Sequence, residues 1–273
     1  MLSFIVLSSD GYSDCWNPFF ELFEKYFPNI PNMELILSTN TKEYTHKTLK
    51  IKVLAHGNDL PWSKRYKLCL EQAENEIVLP LSEDFFLKSK IDEKDFMTVL
   101  YLILNEKKID HIRLLNRGVF KTEKSNYNLL KKITLSTKKR FIFSPGLWKK
   151  EILNKYLVDF ENPWIAEKMG DFRAKIYKDG FYCISEDYVK EKGQLYDTFF
   201  SGVIYKGKCA HYVVSFLEEE GYTDILKRGI MSKDDMIEVK KKAKRGLILS
   251  FFPIMRSLFG LISLYLKQRL KLN

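Results

Sequence analysis

Short apolar runs closed by polar turns fill the first half of the chain, and stretches with apolar residues every three or four positions lie between them. Residues 3–7, 33–38 and 77–81 are runs of this kind, and 49–54 alternates apolar residues with Lys50 and Lys52. They are too short for helices and read as strands. Between the first two, residues 14–27 put Trp16, Phe19, Phe20, Phe23 and Phe27 on one face, with Asp14 as the expected N-cap and Pro28-Asn29 as the stop. Residues 62–74 and 92–105 repeat the helical spacing, the second with Phe96, Val99, Leu100 and Ile103 inward. Further strands are expected at 109–115, 141–144 and 180–185. Further helices are expected at 147–156, from Pro163 onward, and at 231–245. Residues 116–139 are polar with little periodicity and read as a long loop with room for a hairpin, and a second hairpin turns at Tyr205-Lys206-Gly207-Lys208. Strands alternating with helices predict an α/β fold with helices on both faces of a largely parallel sheet.

The run Ile77-Val78-Leu79-Pro80-Leu81 reads as the central strand, buried on both faces, and it stops abruptly at Ser82-Glu83-Asp84. Ligands of open α/β sheets bind at the carboxyl ends of strands, so Glu83 and Asp84 are candidate site residues. Carboxylates there can hold a divalent cation or hydrogen-bond a sugar; as solvated loop charges they would do neither. The first strand delivers Ser8-Ser9-Asp10-Gly11 to the same edge. Lys64 and Arg65 fall in the first turn of a helix, where cations oppose the helix dipole unless an anion is near. On the helix opened by Asn162 and Pro163, spacings of three and four align Trp164, Glu167 and Asp171. An aromatic beside a carboxylate suits sugar stacking and a base of raised pKa, or it is an ordinary amphipathic face.

With 273 residues and 45% apolar content, the chain can bury one large core plus an appendage. Its four cysteines and four histidines are scattered without metal-ligand spacing, so the cysteines read as free thiols of a reducing compartment. Residues 1–7 lack the features of a secretory signal. The net charge of +10 does not indicate nucleic acid: residues 240–273 hold nine Lys or Arg and no acid, leaving the rest nearly neutral. That segment is basic and then predominantly apolar from 246 to 266, interrupted by Pro253 and Arg256. Three placements are open: lying in the interface of an anionic membrane, packing on the body or on a second copy in a homo-oligomer, and spanning a bilayer. The division expected is 1–235 as the catalytic domain and 236–273 as a membrane-association tail.

Four segments together resemble bacterial glycosyltransferases of the GT-A type that assemble surface polysaccharides. They are the Ser8-Ser9-Asp10 turn, the Trp62-Ser63-Lys64-Arg65 helix start, the Leu81-Ser82-Glu83-Asp84-Phe85-Phe86 turn and Pro163-Trp164-Ile165-Ala166-Glu167. The resemblance implies a Rossmann-like three-layer α/β/α domain with a basic amphipathic helical tail. It implies that Ser8, Ser9, Asp10 and Arg65 hold the nucleotide of a UDP-sugar. The acidic turn of the family has the form Asp-any-Asp, and here Ser stands in the first place. Asp84 keeps the last carboxylate as the ligand of a Mg or Mn diphosphate, and Glu83 either replaces the first or faces the donor sugar. Glu167 holds the place of the base in inverting members. A glycolipid or polysaccharide acceptor, met by a cytoplasmic protein peripheral on the inner membrane, completes what the resemblance implies. A nucleotidyltransferase of similar topology, or a noncatalytic nucleotide-binding module, would use the same sheet.

Overall fold

The computed structural model describes residues 1–118, 120–199, 201–245 and 251–270, with the backbone alone for 240–245, 251–253 and 267–269. The chain begins with strand β1 (Leu2–Leu7), a 3-10 turn at Asp10–Cys15 and helix α1 (Trp16–Tyr26). There follow β2 (Met33–Thr39), β3 (Ile51–Ala55), α2 (Trp62–Gln72), β4 (Ile77–Ser82), α3 (Glu93–Asn105) and β5 (His111–Arg113). Next come β6 (Thr122–Glu123), β7 (Leu130–Ile133), β8 (Gly146–Lys149), α4 (Lys150–Tyr156), α5 (Pro163–Tyr177), β9 (Phe181–Ile184) and α6 (Glu186–Lys192). The small strands β10 (Ile204–Tyr205), β11 (Lys208–Ala210) and β12 (Ile230–Met231), with helix α7 (Val214–Glu219) among them, precede α8 (Lys233–Arg245) and α9 (Phe251–Leu270).

The strands of the main sheet lie in the order β3-β2-β1-β4-β8-β5-β9-β7-β6. The first four are parallel, and β8 runs antiparallel between β4 and β5. Alternation along each strand divides the core in two, as it must when both faces of a sheet are covered. Phe4, Val6, Leu35, Leu37, Ile77 and Leu79 pack with α1 and α3 on one face. Ile5, Ile36 and Val78 pack with Tyr66, Cys69 and Leu70 of α2 and Leu153 and Tyr156 of α4 on the other. The result is the expected three-layer α/β/α sandwich.

Three local expectations change. Asp14 does not cap α1; the helix starts after Cys15 without a side-chain cap, and Asp14 instead binds Arg228. Residues 141–144 form no strand, because Phe141 stacks on Tyr156 at 4.8 Å and Phe143 meets Trp62 at 4.8 Å, so both rings face the core as coil. The strand is Gly146–Lys149, inside the stretch expected to be helical, and the helix begins only at Lys150. The long loop does contain a hairpin, β6 with β7, and the second hairpin, β10 with β11, turns where expected.

Helix α9 lies against α5, with Leu261, Ile254 and Leu258 packed on Ile165, Met169 and Ile176. A polar latch reinforces the contact: the Ser257 hydroxyl donates at 2.8 Å to Glu161, a fully buried carboxylate that is also paired with Arg173. Among the described residues no helix is long and apolar enough to cross a membrane.

Candidate active site

The chain leaves β1 on one side to form β2 and β3, then returns to place β4 on the other side of β1. β1 and β4 stay paired as far as Leu7 and Ser82, so their exit turns leave side by side at the carboxyl edge of the sheet, where open α/β sheets take ligands in a crevice. Ser8 follows β1 and Ser82-Glu83-Asp84 closes β4, so the topology brings these turns together.

Ser8 is buried at the centre of this edge. Its hydroxyl accepts from Trp16 Nε1 at 2.7 Å and is hydrogen-bonded to Glu83, and its carbonyl accepts from Arg65 Nη1 at 3.0 Å. Arg65 thus reaches the crevice from the first turn of α2, with part of its donor capacity on the protein backbone. Ser9 precedes the 3-10 turn and offers its carbonyl to Tyr12 N–H, its side chain capping nothing. Asp10 is used structurally: its carboxylate accepts from the amides of Asn40, Thr41 and Lys42 and from the Thr41 hydroxyl at 2.6 Å. These bonds outweigh desolvation and hold Asp10 below the usual carboxylate range. They pin the turn after β2 to the turn after β1.

Glu83 is 6% exposed and Asp84 is partly exposed. Burial, then the adjacent Asp84 charge, pushes Glu83 well up; burial also raises Asp84, against a hydrogen bond from the Ile204 amide. The pair consequently retains a proton where ordinary carboxylates have lost theirs. Over Asp84 closes a turn at Gly202, whose φ of +78° suits glycine and where a Cβ would fall 2.1 Å from an Asp84 oxygen. Tyr12 faces both carboxylates; burial and then their charges raise its hydroxyl. The Arg228 guanidinium lies 4.9 Å from the Tyr12 ring, bound to Asp14 through two nitrogens and to the Gly11 carbonyl, and its charge reaches Glu83.

Glu167 occupies a different position from the rest. Its carboxylate accepts from Phe143 N–H at 2.8 Å, while Asp171, one turn on, accepts from the amides of Arg140 at 2.6 Å and Lys139 at 3.2 Å. These acids of α5 hold the coil 139–143 in place. Burial raises the Glu167 pKa, opposed by the Phe143 amide and the charges of Lys139 and Arg113. Trp164 is 73% exposed. Phe85, Phe143 and Ser144 line two adjoining hollows: one beneath the crevice with Leu7, Trp62, Tyr66 and Ser82, the other a cavity of about 420 Å³ toward β5. Arg65, Asp84 and Glu167 line neither hollow themselves: Asp84 is joined to them through its chain neighbour Phe85, and Glu167 through the Phe143 amide that it holds. A wider hollow of about 670 Å³ between Lys107 and Tyr127 contains none of these groups.

Sequence reasoning missed Tyr12, Arg228 and Gly202, which join the site by long-range packing. Arg113 was visible as a cation flanked by Ile112 and Leu114 in the 109–115 strand, which also carries Asp110 and His111. Among the described residues no cluster of three or more His, Cys, Asp or Glu could hold a metal. The two raised carboxylates nonetheless suit a cation that draws its other ligands from a diphosphate.

No family model and no curated protein matches the chain. Among solved structures it is similar to S. aureus TarS 1–349 in complex with UDP-GlcNAc, at 16% identity over 68% of this chain and 56% of that one, TM-score 0.47. The UDP complex of TarS 1–349 aligns at 16% identity over 68% and 58%, TM-score 0.48. The bifunctional IspDF of Campylobacter jejuni aligns at 14% identity over 72% and 51%, TM-score 0.37. The chain thus spans less than two-thirds of each neighbour's length, and no activity passes from them to it.

Proposed function

We propose that this chain is an inverting glycosyltransferase that moves a sugar from a UDP-sugar to a lipid-linked or polysaccharide acceptor. The observation that carries the reading is the adjacent carboxylate pair of buried Glu83, bonded to Ser8, and partly exposed Asp84, at the carboxyl ends of the paired strands β1 and β4. Displacing a nucleoside diphosphate from an anomeric carbon leaves negative charge on the departing oxygen, which positive charge must meet. Asp84, with Glu83, would hold a divalent cation, Mg²⁺ or Mn²⁺, that supplies this charge. Arg65 and the Ser8-Ser9 turn bind the nucleotide, and Asp10 shapes their loop. Glu167 takes the acceptor proton, a role that its upward-shifted pKa fits.

The division at 235 assigns the C-terminal helices to an anionic membrane surface at the inner face. Supporting this, α9 turns Phe259, Ile262, Tyr265 and Leu266 outward while staying packed on α5 through its other side. An apolar face flanked by Lys and Arg suits the headgroup region.

The test is release of nucleoside diphosphate from a panel of sugar nucleotides, UDP-GlcNAc first, with Mg²⁺, Mn²⁺ or EDTA and membrane extract as acceptor source. Transfer with diphosphate release is expected. Pyrophosphate release instead would replace this reading by a nucleotidyltransferase, and no turnover with retained UDP binding by a noncatalytic module.

A further inference from the structure

Resting on the glycosyltransferase reading, the cavity beside β5 names a property of the acceptor. Arg113 ends β5 with its side chain inward, 1% exposed. One nitrogen donates to the Arg140 carbonyl at 3.1 Å, and the Phe120 ring covers the guanidinium at 4.2 Å. Its Nε and Nη1 are buried, and among the described residues neither has a hydrogen-bond partner. A buried guanidinium with unfilled donors is costly, and burial accordingly pulls its pKa down to about 10.

Arg113 lines the cavity of about 420 Å³ together with Arg117, Lys138 and Lys139, and the described lining includes no carboxylate. Phe85, next to Asp84, and Phe143, held by Glu167, form its boundary with the crevice. Arg117 donates to the Thr198 carbonyl, and Glu167 and Asp171 offset part of the charge of Arg113 from outside the lining, yet among the described residues none accepts from Arg113 Nε or Nη1. A phosphate brings more charge than a carboxylate and three acceptor oxygens. None of the lining residues comes from the β1 turn, the β2 turn or α2, which serve the nucleotide.

We infer that this cavity is a subsite for a phosphate group carried by the acceptor, bound by Arg113 with Lys138 and Lys139 at its mouth. The acceptor hydroxyl is thereby brought beside Phe85 and Phe143, between the donor crevice and Glu167.

Isothermal titration of the full chain with inorganic phosphate, with acetate at matched ionic strength, and with UDP tests this. Phosphate is expected to bind the wild type, roughly tenfold or more weaker in Arg113→Met and severalfold weaker in the Lys138→Gln, Lys139→Gln double variant. UDP affinity is expected to stay within about twofold in both. The double variant alters only exposed side chains, so it decides the matter if Arg113→Met does not fold. Absence of phosphate binding, acetate binding as tight as phosphate, or parallel loss of UDP and phosphate in the variants overturns the subsite. Arg113-dependent phosphate binding in a wild type that binds no UDP keeps the phosphate site and removes the glycosyltransferase reading.

Discussion

The two ends of the crevice pose opposite electrostatic problems. At the carboxyl end of β4, buried Glu83 stands beside partly exposed Asp84, and burial raises the pKa of both, that of Glu83 further through the charge of Asp84. At the end of β5, the buried Arg113 has donors that no group among the described residues fills. Core packing would favour neither arrangement, and a ligand of opposite sign would relieve each. The contrast teaches that the site is divided by charge: the acid end suits a cation with a diphosphate, the basic end a second anion kept apart from the first.

The largest expected effect tests what stands between the ends. Glu167→Gln keeps an oxygen that accepts from Phe143 N–H, so the wall should survive, with an unchanged melting temperature. Transfer should fall by about 100-fold to 10,000-fold if the carboxylate removes the acceptor proton. Unchanged turnover would leave Glu167 with only its structural bond.

Next in size, Asp84→Asn should reduce transfer by roughly 100-fold to 1,000-fold and remove any response to divalent cation, while phosphate binding at Arg113 persists. Loss of both functions together would erase the division by charge.

A smaller effect concerns stability. Raised acid pKa values mean that the folded chain keeps protons that the unfolded chain gives up near pH 4, so stability should fall as pH rises from that range through neutrality. Melting curves between pH 5 and pH 8, with and without Glu83→Gln, measure this. The variant should flatten the decline by a few degrees, at about 2–4 °C per kcal/mol. A wild-type melting temperature independent of pH would mean that the pair is not strained.

The smallest expected change asks from which side the basic end is approached. Phe259→Glu with Ile262→Glu alters only outward positions of α9 and should reduce sedimentation with anionic liposomes severalfold, leaving soluble-substrate turnover intact. Undiminished sedimentation would place any membrane contact elsewhere.

The acid end was legible in the sequence and the basic end was not, for physical reasons. β1, β2 and β4 are parallel and covered on both faces, so each appears as a mostly apolar run, with Ser3 and Glu34 near the starts of the first two, and its exit turn can be read directly. β8 has only four residues and passes straight into α4, so its pattern merges with the helix after it. Residues 141–143 have the composition of a strand because their rings fill the core, although their backbone pairs with nothing regular. Asp10 illustrates a different limit: position and residue type suggested a ligand contact, whereas its oxygens are taken by the 40–42 turn. The tail composition left three placements open, and packing of α9 on α5 came from tertiary contacts. Residues 246–250 lie outside the described part of the chain.

Peeling α9 away would strip Glu161 of the Ser257 hydroxyl and expose Leu261, so the helix acts as a fixed strut and not as a tether on a leash. Any surface gripped by its outer side would then hold the whole molecule at one tilt. The aiming of the crevice would be settled by the docking of a single helix, and α5, braced on one flank by that helix, steadies the coil 139–143 on the other.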